Sequence, residues 1–172
     1  GGTLIINGGT FSNDNFGEND LATAARGAIL ADRGAKIEIN GGTFNALAKV
    51  IDIQNNLGDA SKNPKVLLAG GNYSSNPLTW DGLISVVEGK VVLPPKEDEV
   101  YYTIGDPVVK VGDTGYGTID EAIANWTNNS TLTLLADATL SDVVTLKSTE
   151  HHILNLGTYT LTAASGKNAF EI

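Results

Sequence analysis

The phrase Ile-Asn-Gly-Gly-Thr-Phe occurs twice in this chain, at residues 6–11 and 39–44, and a worn copy, Leu68-Ala69-Gly70-Gly71-Asn72-Tyr73, follows. The equivalent glycines Gly8, Gly41 and Gly70 are 33 and 29 residues apart. A recurrence at this period is the mark of stacked structural repeats, because one such unit cannot bury its apolar face alone. Each copy is preceded by a period-2 pattern. Leu4, Ile37 and Val66 share one column, and Ile6, Ile39 and Leu68 share the next. Alternate side chains of a strand face one side, so both columns are expected to point inward. The Gly-Gly pair lets the chain turn a corner, and Phe11, Phe44 and Tyr73 should then stack as an aromatic column.

A second set of short apolar stretches lies between these copies: residues 28–32, 50–54 and 83–87. Each repeat therefore holds at least two short strands joined by corners. The arrangement that stacks identical positions at strand spacing is a parallel β-helix, so an all-β, solenoidal fold is expected. A further repeat start is read at Lys90-Val91-Val92-Leu93, stopped by Pro94-Pro95. Only 6% of residues are aromatic and 20 are Gly, which suits short strands and tight turns.

The polar run Pro94 to Glu99 breaks this pattern. Residues 1–93 read as the end of a first β-helix, 94–108 as a linker with short strands, and 109–172 as a helix-capped start of a second, truncated one. One helix is predicted near 118–127. Thr118 and Glu121 form a capping box, Asp120 and Glu121 suit the helix N-terminus, and Ile119, Ala122, Ile123 and Trp126 form one apolar face. Strands are then expected at 131–135, 143–146, 153–156 and 159–161.

Residues 108–162, with Val-Val-Lys-Val, Thr118-Ile119-Asp120-Glu121-Ala122-Ile123, Thr131-Leu132-Thr133-Leu134-Leu135 and Asn155-Leu156-Gly157-Thr158-Tyr159-Thr160-Leu161-Thr162, resemble modules of large surface proteins of gut bacteria. The Ile-Asn-Gly-Gly-Thr-Phe phrases resemble rungs of the right-handed, pectate-lyase-like parallel β-helices in such proteins. The resemblance implies an extracellular or cell-surface setting and a stalk-like or adhesin-like role. It leaves function open, since such helices also serve as lyases and hydrolases.

The formal charge of −9 disfavours nucleic acid and anionic membranes as partners, and no apolar run is long enough to span a membrane. The chain contains no Met, so it reads as a processed or excised part of something longer. Asp32, Glu38, Asp52 and Glu88 are the acids available for glycosidic chemistry, and each also reads as an ordinary solvated acid. His151 and His152 are the only histidines. As strand neighbours they would face opposite sides, which argues against one shared metal. No catalytic residues are assigned, and no cofactor is expected. The one cation candidate is calcium at the oxygen-rich loop Asn13 to Asp20, which lacks EF-hand spacing.

The favoured expectation is a non-catalytic stalk or interaction module, with a host or dietary glycan or another surface protein as partner. The alternatives are a glycan-binding module and an inactive fragment of a polysaccharide lyase or hydrolase. A glycan groove is expected between the long loops 12–26 and 74–81, with Asn13, Asp14, Asn15 and Phe16 on one wall and Asn76, Trp80 and Asp81 on the other. Aromatic faces beside amides and carboxylates suit a sugar ring.

Overall fold

The computed structural model describes residues 2–13, 27–46, 49–54, 58–78, 82–96 and 98–172. The chain forms two compact units, Gly1–Gly105 and Asp106–Ile172. Both consist mostly of short strands in largely parallel sheets, with one short α-helix among the described residues.

In the first unit, β1 (Thr3–Ile6), β2 (Thr10–Asn13) and β3 (Ile29–Ala31) are followed by β4 (Lys36–Ile39), β5 (Thr43–Ala46) and β6 (Ile51–Ile53). Each strand of the first trio pairs in parallel with its counterpart in the second. The third repeat adds β7 (Lys65–Leu68) on β4 and β8 (Asn72–Tyr73) on β5. The register places Leu4, Ile37 and Val66 opposite one another, and likewise Ile6, Ile39 and Leu68, as the period-2 pattern predicts. Ile39 and Leu68 are fully buried, whereas Leu4 is half exposed because β1, among the described strands, has a partner on one edge only. The rings of Phe11, Phe44 and Tyr73 stack nearly parallel, with centroids 5.0 and 5.2 Å apart. That is close to the inter-strand spacing of about 4.8 Å, and each such pair contributes about 0.5–1.5 kcal/mol beyond its buried area.

The two glycines of the repeated phrase have different duties. Gly42 takes φ +116, a backbone state that disfavours any Cβ. Gly70 has an ordinary φ, but a Cβ there would collide with the carbonyl oxygen of Asn40 in the repeat before it. The backbones thus approach too closely at the corner for any side chain. We expect Gly70→Ala to cost about 1–3 kcal/mol through this overpacking, measured as a fall in the denaturation midpoint. An unchanged midpoint would show that the corner can open without cost.

Three features of this unit depart from the sequence expectation. Residues 83–87 do not continue the β3–β6 sheet. Instead β9 (Ile84–Val86) pairs with β7, setting Ile84 opposite Val66, because the third repeat passes from β8 to β9 with no strand equivalent to β6 among the described residues. The stretch expected to start a further repeat forms β10 (Val91–Leu93), which lies at the far edge of the β2–β5–β8 sheet. Between β8 and β10 lies β11 (Tyr102–Gly105), antiparallel to both, so four residues read as linker belong to the sheet. Its Tyr102 and Ile104 pack on the core, and its backbone pairs with an edge of β8 that would otherwise be open.

In the second unit, β12 (Val109–Val111) and β13 (Thr114–Tyr116) form an antiparallel hairpin. Helix α1 (Ile119–Ala124) packs on both. Then β14 (Thr131–Leu134), β15 (Ala138–Thr139) and β16 (Val144–Thr145) pair in parallel with β17 (Ile153–Asn155), β18 (Leu161–Thr162) and β19 (Phe170–Glu171), respectively. The other edge of β14 is taken by β12. The Thr118 hydroxyl accepts from the Glu121 N–H, as the capping box requires. The helix is shorter than the expected 118–127. Asn125 ends it, folding its side-chain amide back onto the Glu121 carbonyl while its own N–H reaches Ala122. Trp126 lies beyond the last turn, yet with Ile119, Ala122, Leu132 and Leu134 it forms the buried core of this unit.

Candidate functional site

Of the residues expected to line a glycan groove, Asn13 and Asn76 are described. Asp14, Asn15, Phe16, Trp80 and Asp81 lie outside the described residues, as does most of the oxygen-rich loop assigned to calcium. Asn13 ends β2, and its side-chain amide donates to the Gly27 carbonyl at 3.0 Å, linking two residues on either side of the long loop. Asn76 is exposed, and its side-chain oxygen accepts from the Leu78 N–H at 3.0 Å in a local turn. The strands preceding the two loops, β2 and β8, flank β5, which sets them two strand spacings, or about 10 Å, apart.

The acids weighed for hydrolysis are dispersed. Asp52 forms a largely shielded ion pair with Lys49 at 2.6 Å. Asp32 accepts from the Arg33 backbone at 2.6 Å, with the guanidinium 3.6 Å away, and both side chains are largely exposed. The residue opposite Asp52 on β3 is Leu30, so the two acids do not face each other across the sheet. Glu38 sits between Ile5 and Leu67 on the outward face, and Glu88 lies in an exposed turn. Among the described residues, no group of three or more His, Cys, Asp or Glu is placed to hold a metal ion. No helix among them is long and apolar enough to cross a membrane.

The two histidines part company. His151 is exposed, whereas the His152 side chain is 5% exposed and meets Trp126 edge-on, with ring centroids 4.9 Å apart. His152 Nε2 lies 3.1 Å from the Glu150 carboxylate, while Nδ1 is buried with no hydrogen-bond partner among the described residues. A carboxylate only accepts, which places a proton on Nε2. Lys147 and then His152 hold the Glu150 carboxyl below its ordinary range. This cluster escaped the sequence reading, although the opposed faces of 151 and 152 were its available signal.

The described residues show a different kind of order on the sheet β10–β11–β8–β5–β2. Phe44 and Tyr73 are fully buried on its inner face. The alternate positions Thr10, Thr43, Asn72 and Thr103 line up across four strands on the opposite face. Ser12 and Asn45 form a second column beside them. Burial pushes the Tyr73 phenol above its usual range, and its hydroxyl donates to the Gly70 carbonyl at 2.7 Å. The aromatic column is therefore a structural spine, while the polar columns lie on the opposite face of the sheet.

These features define an all-β protein of short strands in parallel sheets. Comparison with protein-family models, with curated proteins and with solved structures returns no match for this chain.

Proposed function

We propose that this chain is a segment of a right-handed parallel β-helix serving as a non-catalytic stalk or interaction module of an extracellular, adhesin-like bacterial surface protein. The observation that carries the reading is the repeated in-register pairing: in both units, successive strands pair in parallel with their counterparts in the next repeat. A chain wound in this way grows along one axis and exposes broad, regular side faces, which suits spacing and contact. The β12–β13 hairpin with α1 then acts as the cap of the second helix, closing the edge of β14 that would otherwise be open.

The acids favour this reading over hydrolysis. A glycosidase needs two carboxyls across one gap, one with raised proton affinity. Among the described carboxylates with displaced proton affinity, Asp59, Asp142 and Glu150, all are displaced downward, chiefly by Ser61, Lys167 and Lys147, respectively. That is the wrong direction for a general acid. We expect the purified chain to release no reducing ends or unsaturated products from neutral or acidic polysaccharides above buffer controls. Turnover that vanishes in Asp52→Asn or Asp32→Asn would overturn the proposal. The second reading, a glycan-binding module, is favoured by the polar columns on the outer face of the β2–β5–β8 sheet.

A further inference from the structure

We propose that the outward face of strands β11, β8, β5 and β2 binds a neutral, extended polysaccharide chain lying across them; on the fifth strand, β10, the position opposite Thr103 is Leu93, which bounds the polar column. The inference rests on the reading of this chain as an interaction module and names its ligand class. Four strands each present one hydroxyl or amide in line: Thr10, Thr43, Asn72 and Thr103. Successive members are spaced by the strand separation of about 4.8 Å, comparable with the advance of one pyranose along an extended glycan. A chain in this orientation meets one polar protein group per sugar.

Charge selects the same partner. The net charge of the chain is −9, yet β2, β5, β8, β10 and β11 contain no Asp, Glu, Lys or Arg. By contrast, β4 carries Lys36 and Glu38, β7 carries Lys65 and β6 carries Asp52. A face without charge has nothing to pair with an acidic polymer, and the surrounding negative field repels one. Hydroxyls and amides both donate and accept, which matches the sugar hydroxyls of a neutral polymer.

The face is also held in order before any ligand arrives. The Asn45 amide donates to the Ser12 hydroxyl at 3.3 Å, and the Asn72 amide to the Thr43 hydroxyl at 3.5 Å. Each bond uses one amide proton, and an amide has a second proton and a carbonyl oxygen. Beneath the face, the stacked Phe11, Phe44 and Tyr73 rings fix the strand positions. Part of the side-chain entropy of the two central members, Thr43 and Asn72, is therefore already lost before binding, which lowers the cost of ordering them on a ligand.

The test is calorimetric titration of the whole chain with soluble β-1,4-linked glucose and N-acetylglucosamine oligomers, from monosaccharide to hexasaccharide. Affinity should rise with length and level off near four sugars, one for each strand in the Thr10–Thr103 column. Thr43→Val removes one hydroxyl at constant shape. It should weaken the longest oligomers about two- to ten-fold, the equivalent of one hydrogen bond, while the melting midpoint falls by no more than the loss of the exposed Asn72–Thr43 bond. Thr10→Val, on the end strand β2, gives the same readout should Thr43→Val fail to fold. Flat titrations at every length would overturn the inference and leave the stalk reading standing. Binding that ignores both variants would exclude this face, and stronger binding of an oligogalacturonate would exclude the neutral ligand class. Cleavage of the oligomers during titration would instead sink the non-catalytic reading itself.

Discussion

Ile39→Asp is expected to abolish cooperative folding of the first unit at neutral pH. Ile39 has no exposed surface, and its partners along the ladder are Ile6 on one side and Leu68 on the other. Truncating such a residue to Ala alone costs about 2–5 kcal/mol. A carboxylate adds the penalty of a charge with no partner, still several kcal/mol after relaxation. The sum rivals the 5–15 kcal/mol that holds a typical domain together. The effect should depend on pH with a definite sign. Burial raises the proton affinity of the introduced carboxyl above its value in the unfolded chain. Its penalty is therefore smallest below the unfolded carboxylate range, near pH 3–4, and grows as pH rises above it. Ile39→Val is the control and should cost about 0.5–1.5 kcal/mol. Circular dichroism melts at two pH values measure both effects, and a wild-type profile for Ile39→Asp at pH 7 would refute the interior placement of this column.

In the second unit the largest loss is expected from Trp126→Ala, about 3–5 kcal/mol. Trp126 is 8% exposed, and its indole N–H donates to the Ser130 carbonyl at 3.1 Å. Its ring also forms one wall against His152. Removing it leaves a cavity beside Ile119 and Leu132, strips Ser130 of a donor and opens the His152–Glu150 pair to water. Trp126→Phe keeps most of the ring and loses the N–H, so its cost should approach the 0.5–1.5 kcal/mol of one hydrogen bond plus a small packing defect. The chain has two tryptophans, so a Trp80→Phe background makes fluorescence a reporter of Trp126 alone. An emission spectrum typical of solvent-exposed indole in the folded protein would contradict the packing.

The stacking of like on like was legible in the repeats. Leu4, Ile37 and Val66 occupy one ladder because the same apolar residue type recurs at the same place in each repeat, and a parallel in-register sheet sets such residues opposite one another. The Gly-Gly corner was legible for the same reason: steric limits on φ and on backbone approach act within a few residues. So was the start of α1, where Thr118 and Glu121 meet through local hydrogen bonds. Its end was less legible, because Asn125 competes for backbone partners with a helix that the apolar pattern would have carried on to Trp126.

Which strand took which free edge was settled by long-range pairing. Residues 84–86 and 102–105 carry short apolar patterns that would fit several strands. Their places beside β7 and β8 follow from which backbone edges remained open after the repeats had paired. Thr103 therefore enters the polar column of Thr10, Thr43 and Asn72 from outside the repeat, in an antiparallel strand that no periodicity announces. The contact of His152 with Trp126 is of the same kind. Two residues 26 positions apart meet because β17 pairs with β14, and a long-range pairing leaves no local trace in either segment.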